Sequence, residues 1–100
     1  MDGLQAEIEV GLEREDARGW RYTVTVDCDG RRRGFDIRLD WADHDHWTGG
    51  TCAPSKTVHA LIATLIEHED ELDAPIPNRF DASTARRWLD TLDDEVRARM

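Results

Sequence analysis

Three consecutive runs of alternating side chains fix most of what this chain can fold into. Leu4, Ala6, Ile8, Val10 and Leu12 alternate with Gln5, Glu7, Glu9, Gly11 and Glu13. Trp20, Tyr22, Val24, Val26 and Cys28 alternate with Arg21, Thr23, Thr25 and Asp27. Phe35, Ile37, Leu39 and Trp41 alternate with Asp36, Arg38 and Asp40. A period of two sends apolar residues to one face of a strand and polar residues to the other. In the second run period and β-propensity agree. In the first, Ala6 and the glutamates are weak strand formers, so pattern must outweigh propensity. Residues 15–19 read as a hairpin loop; Asp29-Gly30 is a turn signal, and residues 31–34 extend that connection. The expectation is a three-stranded antiparallel meander with the second strand central. Its polar face carries opposite charges that pair across strands for about 0.2–1 kcal/mol each.

An apolar sheet face needs a cover. Val58, Leu61, Ile62, Leu65 and Ile66 lie one and two turns apart and predict a helix over 54–68. Either Pro54 takes its first position or Ser55 caps it. Its far end carries Glu67, Glu69, Asp70 and Glu71, acids that oppose the helix dipole by about 0.3–1 kcal/mol each when exposed. Pro75 and Pro77 make 73–78 a linker. A second helix opens at Phe80-Asp81, with Asp81 as cap and Phe80 folding towards Ala85. Ala85, Trp88, Leu89, Leu92 and Val96 form its stripe, and Asp93 with Arg97 and Glu95 with Arg99 are i,i+4 pairs. The order β-β-β-α-α gives a two-layer α+β domain spanning 1–100, both helices on the apolar face and the other face wet.

A hundred residues suffice for one modest core. The net charge of −9 repels nucleic acid and anionic membranes, so the expected partner is another protein, a basic one or a second copy of the chain. Twelve Arg stand against the lone Lys56. That bias fits GC-rich codons or a salt-adapted cytoplasm. No opening run resembles a signal peptide and none is long enough to span a membrane, so the expected compartment is the cytoplasm, with Cys28 and Cys52 reduced.

Residues 42–53 form the longest irregular stretch, where function tends to sit. His44, His46 and Cys52 are zinc-type donors, and if the third strand continues the two histidines share a side. The spacing matches no paired C-x-x-C site; the alternative is two solvated histidines and a small buried thiol. Residues 50–57 have the outline of a phosphate-binding loop, but Ser55 replaces its second glycine and Pro54 removes an N–H. Cys52 with His44 or His59 lacks an orienting third group for nucleophilic catalysis. Trp20, Trp41 and Trp88 fall on apolar stripes and belong to the core. Trp47 joins no stripe, and is either an exposed anchor for a partner or a lid on the sheet edge. The acids Glu67, Glu69, Asp70 and Glu71 are either a docking patch for a cationic partner or a solvated run. If they form a patch, they raise the pKa of His68.

Trp47-Thr48-Gly49-Gly50, Pro54-Ser55 at a helix start, Pro77-Asn78-Arg79-Phe80-Asp81 and Arg86-Arg87-Trp88 together resemble a loose group of small stand-alone prokaryotic proteins, themselves uncharacterised. The likeness covers the C-terminal half. It implies a complete small protein and brings no activity, cofactor or catalytic residue with it. The expectation is therefore a non-enzymatic interaction module that binds a basic protein or forms a homodimer. The other reading is a metal-binding or metal-sensing protein using His44, His46 and Cys52.

Overall fold

The computed structural model describes residues 6–28 and 30–100. The expectations placed on Leu4, Gln5 and Asp29 lie outside the described residues. Strands β1 (Ala6–Asp16), β2 (Gly19–Cys28) and β3 (Arg31–Asp40) form the expected antiparallel meander with β2 between the others. Residues 31–34 belong to β3, not to a connection: Arg31 to Gly34 pair with Cys28 to Thr25. Tyr22, Val24, Val26, Phe35, Ile37 and Leu39 are all buried, as their alternation requires. The hairpin between β1 and β2 turns on Ala17 and Arg18 alone, and Gly19 begins β2 where a Cβ would lie 2.4 Å from the Leu39 carbonyl oxygen. Only glycine fits that approach.

The sheet has a fourth strand. Arg79–Asp81 (β4) pairs parallel to β3 at residues 36–38, giving the order β1-β2-β3-β4 and a mixed sheet. Phe80 is therefore in a strand, while Asp81 ends that strand and takes the expected N-cap position of the helix that starts at Ala82, its side chain making no capping hydrogen bond. Three residues are too few to display a period, which is why the linker prolines concealed it.

Helix α2 (Pro54–Glu67) lies where expected, with Pro54 at its first turn and Ala53 as N-cap. Val58, Leu61, Ile62 and Leu65 are fully buried and the helix packs on β1 and on the C-terminal helix. The connector before it is irregular only over 49–53: Trp41–Thr48 is a helix, α1. Asp40 caps it by accepting from the Ala42 N–H at 3.0 Å, and Gly49, in the left-handed region at φ 64°, donates to the Asp45 carbonyl to end it. Because the chain turns helical at Trp41, that residue leaves the alternation of β3 and is 54% exposed, not core.

The second expected helix is two, α3 (Ala82–Ala85) and α4 (Leu92–Arg99), joined by tight turns in which Trp88 donates to Ala85 and Leu92 to Leu89. The apolar stripe runs through the break unchanged. Ala85, Leu92 and Val96 are buried, and Trp88 and Leu89 pack partly against the same core. Neither expected i,i+4 pair forms. Asp93, Glu95 and Arg99 reach other elements, and Arg97 sits 3.7 Å from Asp94.

The polar face of the sheet carries the anticipated cross-strand ion pairs. Arg21 lies directly opposite Arg38, an arrangement that repels on its own. Asp36 at 3.1 Å from Arg21 and Asp16 at 3.0 Å from Arg38 neutralise it. No helix is long and apolar enough to cross a membrane.

Candidate functional site

The connector that carried the most suggestive residues is held together by a polar network. On a helix, residues two apart point about 200° apart, so α1 sends His44 and His46 to different sides. His44 Nε2 bonds the Cys52 carbonyl oxygen at 2.7 Å, and its ring meets the edge of Trp20 at 5.2 Å. His46 Nε2 lies 3.2 Å from Asp93 Oδ2, and the Cys52 thiol is 3.9 Å from Thr51 Oγ1. The zinc-type trio does not converge. Its expected common side depended on a strand that became a helix.

Asp43 and Trp47, on the inner side of α1, are 5% and 3% exposed. Trp47 is thus the lid on the core and not an exposed anchor. Its indole N–H donates to Asp93 Oδ1 at 2.7 Å. Arg86, from the turn after α3, grips both acids: Nε and Nη2 donate to Asp93, and Nη1 to Asp43, each at 3.1 Å. Burial raises the Asp93 carboxyl, but the bonds from Arg86, then Trp47 and His46, outweigh it and bring it to about 2. At Asp43 burial wins over Arg86 and its pKa is raised. A guanidinium shared by two carboxylates ties α1, the α3–α4 turn and α4 together.

The acidic end of α2 is likewise engaged internally. Glu69 makes a two-pronged pair with Arg33 at 2.7 and 2.8 Å, and Glu67 pairs with Arg99. His68 places Nδ1 2.7 Å from Glu71 Oε2 and Nε2 2.7 Å from Glu95 Oε1. Its pKa is raised, as expected, by Glu71 first and Glu95 second. Asp70 alone of the proposed patch makes no ion pair among the described residues. These cations also stand where the helix dipole wants them, which explains how acids are tolerated there. Glu67, His68 and Glu95 are the one trio of metal-capable side chains found within 4.8 Å of one another among the described residues. Both nitrogens of the ring are already engaged by carboxylates, so a metal at this trio must displace the bond to Glu71 or to Glu95.

The surface left incompletely satisfied is the β1 border of the sheet. Ala6, Ile8 and Val10 face the core side but are only half-buried, while their partners Val26 and Val24 are fully buried. A groove of about 520 Å³ runs between Ala6, Ile8 and α2, lined also by His59, Ala63 and Ile66 and by the paired charges Glu67 and Arg99. The register shifts between Gly11 and Glu13, where Leu12 takes φ 42°. The bulge turns Leu12 outward, 66% exposed, and gives its place to Glu13, whose carboxylate accepts the Tyr22 hydroxyl at 2.5 Å. Glu7 and Glu9 are exposed and carry no ion pair among the described residues. A separate depression of about 240 Å³ lies against Trp88, walled by Leu72, Pro75 and Pro77, with Asp73 and Arg87 as its charged groups.

No known protein family, curated protein or solved structure matches this chain.

Arg86, Asp93, Arg33 and Arg99 went unnoticed as organisers because each partner lies far away in sequence or across a turn. No spacing rule joins residue 43 to residue 86. The β1 border was legible as an alternating run, but nothing in the alternation announces that α2 covers it only halfway.

Proposed function

We propose that the protein is a non-enzymatic interaction module that binds a cationic protein along the β1 border of its sheet. One observation carries the reading. Ile8 and Val10 remain half-covered opposite the fully buried Val26 and Val24, and the acids flanking them, Glu7 and Glu9, make no ion pair among the described residues. Half-covered apolar side chains rimmed by polar ones are what an interaction surface consists of. Glu67, Glu69 and Glu71 serve this role less well, because a cationic partner there must displace Arg99, Arg33 or His68. Trp47 is withdrawn from it by burial.

A second copy fits this border poorly, since pairing β1 with itself sets glutamates against glutamates. The test uses the native chain and the Glu7→Lys/Glu9→Lys variant, both immobilised and exposed to lysate of the encoding organism. Light scattering of the free protein accompanies it. The expected result is a monomer that retains a discrete basic protein, which the variant loses. A stable dimer, or the same proteins retained by both chains, overturns the reading.

A further inference from the structure

The chemistry along β1 specifies more than a cationic partner. From Ala6 to Gly11 the strand keeps an unbroken antiparallel register with β2, ending at the bulge. Those six residues make a straight template about 20 Å long. β1 is a border strand, and β4 covers the opposite border only at residues 36–38. Border strands are usually closed to newcomers by lysine, proline or inward-pointing charge. Between Ala6 and Gly11 there is none of these; the sole charges, Glu7 and Glu9, point outward.

We infer that Ala6–Gly11 accepts an extended segment of the partner as a fifth strand, one that alternates apolar residues with Lys or Arg. This rests on the cationic-partner reading above and adds the mode of binding. Residues opposite each other on neighbouring strands share a face. Guest residues facing Ala6 and Ile8 enter the groove lined by His59 and Ala63, one facing Val10 continues the same half-buried row, and all must be apolar. Those facing Glu7 and Glu9 stand on the wet face beside Asp27, where Arg32, 3.9 Å from Asp27, is the opposing charge. Cationic guest residues complement that excess of acid. Main-chain hydrogen bonds then hold the segment, and the two side-chain rows select it, as in other cases of strand addition. The bulge at Leu12 limits the guest to about six residues, because beyond it the rows no longer alternate.

The probe is an eight-residue peptide, capped at both ends, alternating valine and lysine. Its control has the same composition in two blocks, four valines then four lysines. Amide hydrogen exchange is followed on the full isotope-labelled chain. The alternating peptide is expected to slow exchange of border amides within 6–11 by about tenfold, and the block peptide to leave them unchanged. Glu7→Lys/Glu9→Lys is expected to weaken the alternating peptide by about tenfold. If both peptides shift the Glu7 and Glu9 side-chain signals without slowing those amides, strand addition is wrong while the cationic reading stands. If neither binds, or both act at residues 67–71 instead, both proposals fall.

Discussion

His68 carries a charge that the fold itself keeps in place. A neutral imidazole has one N–H, yet both ring nitrogens lie 2.7 Å from carboxylate oxygens, of Glu71 and Glu95. Only the doubly protonated ring donates to both. Its folded pKa is accordingly above the ordinary 6.5, through Glu71 first and Glu95 second. A group raised on folding contributes stability that is complete below its unfolded pKa and disappears as pH climbs through the folded one. Glu67 faces the same ring at 3.8 Å and acts in the same direction, tempered by its pairing with Arg99. His68→Gln should therefore be less stable than the native chain by about 1–2 kcal/mol at pH 5.5. The gap should start to close above pH 6.5 and vanish at higher pH. Urea denaturation at steps from pH 5.5 to 9 checks this. A gap that does not change with pH would mean that His68 contributes by packing alone.

At the scale of elements, Arg86 is the joint. Seven residues separate it from Asp93, about 10 Å along an unbroken helix, too far for its two bonds to that acid. The break between α3 and α4 brings them together, and the third bond reaches Asp43 on α1. Removing the guanidinium leaves Asp43 buried without a counter-charge. Arg86→Met is expected to lower stability by about 2–3 kcal/mol, less than a fully enclosed pair would cost because Arg86 itself is partly exposed. Adding Asp43→Asn should restore part of the loss, and a double-mutant cycle in urea measures the coupling. The same joint explains what was legible beforehand. Strands β2 and β3 and helix α2 declared themselves because one period governs each and one face is sealed. Helix α1 did not, because it buries only Asp43 and Trp47 and so has no stripe. The split of the second helix was hidden because Ala85, Leu92 and Val96 keep helical spacing across it. In the candidate site, the acids of α2 were visible as a run, but their partners Arg33 and Arg99 come from β3 and α4 and left no local mark. The β1 border showed its alternation, yet a strict period of two also sent Leu12 inward. The bulge that turns it out follows from a backbone choice at one residue, which hydrophobic pattern does not encode.

For the whole molecule, the excess of nine acids acts on stability and on binding in opposite ways as salt is added. Most ion pairs among the described residues are contacts of 2.7–3.7 Å, for example Arg33 with Glu69 and Arg38 with Asp81. Screening at physiological salt has a length of about 8 Å, so it weakens such contacts little. The repulsion among acids that make no ion pair among the described residues, such as Glu7, Glu9 and Asp70, is long-range and is weakened most. Salt therefore relieves more repulsion than it removes attraction, and the melting temperature should rise by a few degrees between about 10 and 300 mM NaCl. Association with the alternating valine–lysine peptide depends on that unmatched charge and should weaken over the same range. Calorimetry of the free chain and titration of the peptide, run in the same buffers, test the pair of slopes. A melting temperature that falls with salt would place the stabilising electrostatics in the contact pairs. Peptide affinity that ignores salt would remove Glu7 and Glu9 from recognition and leave the apolar row of β1 to carry it alone.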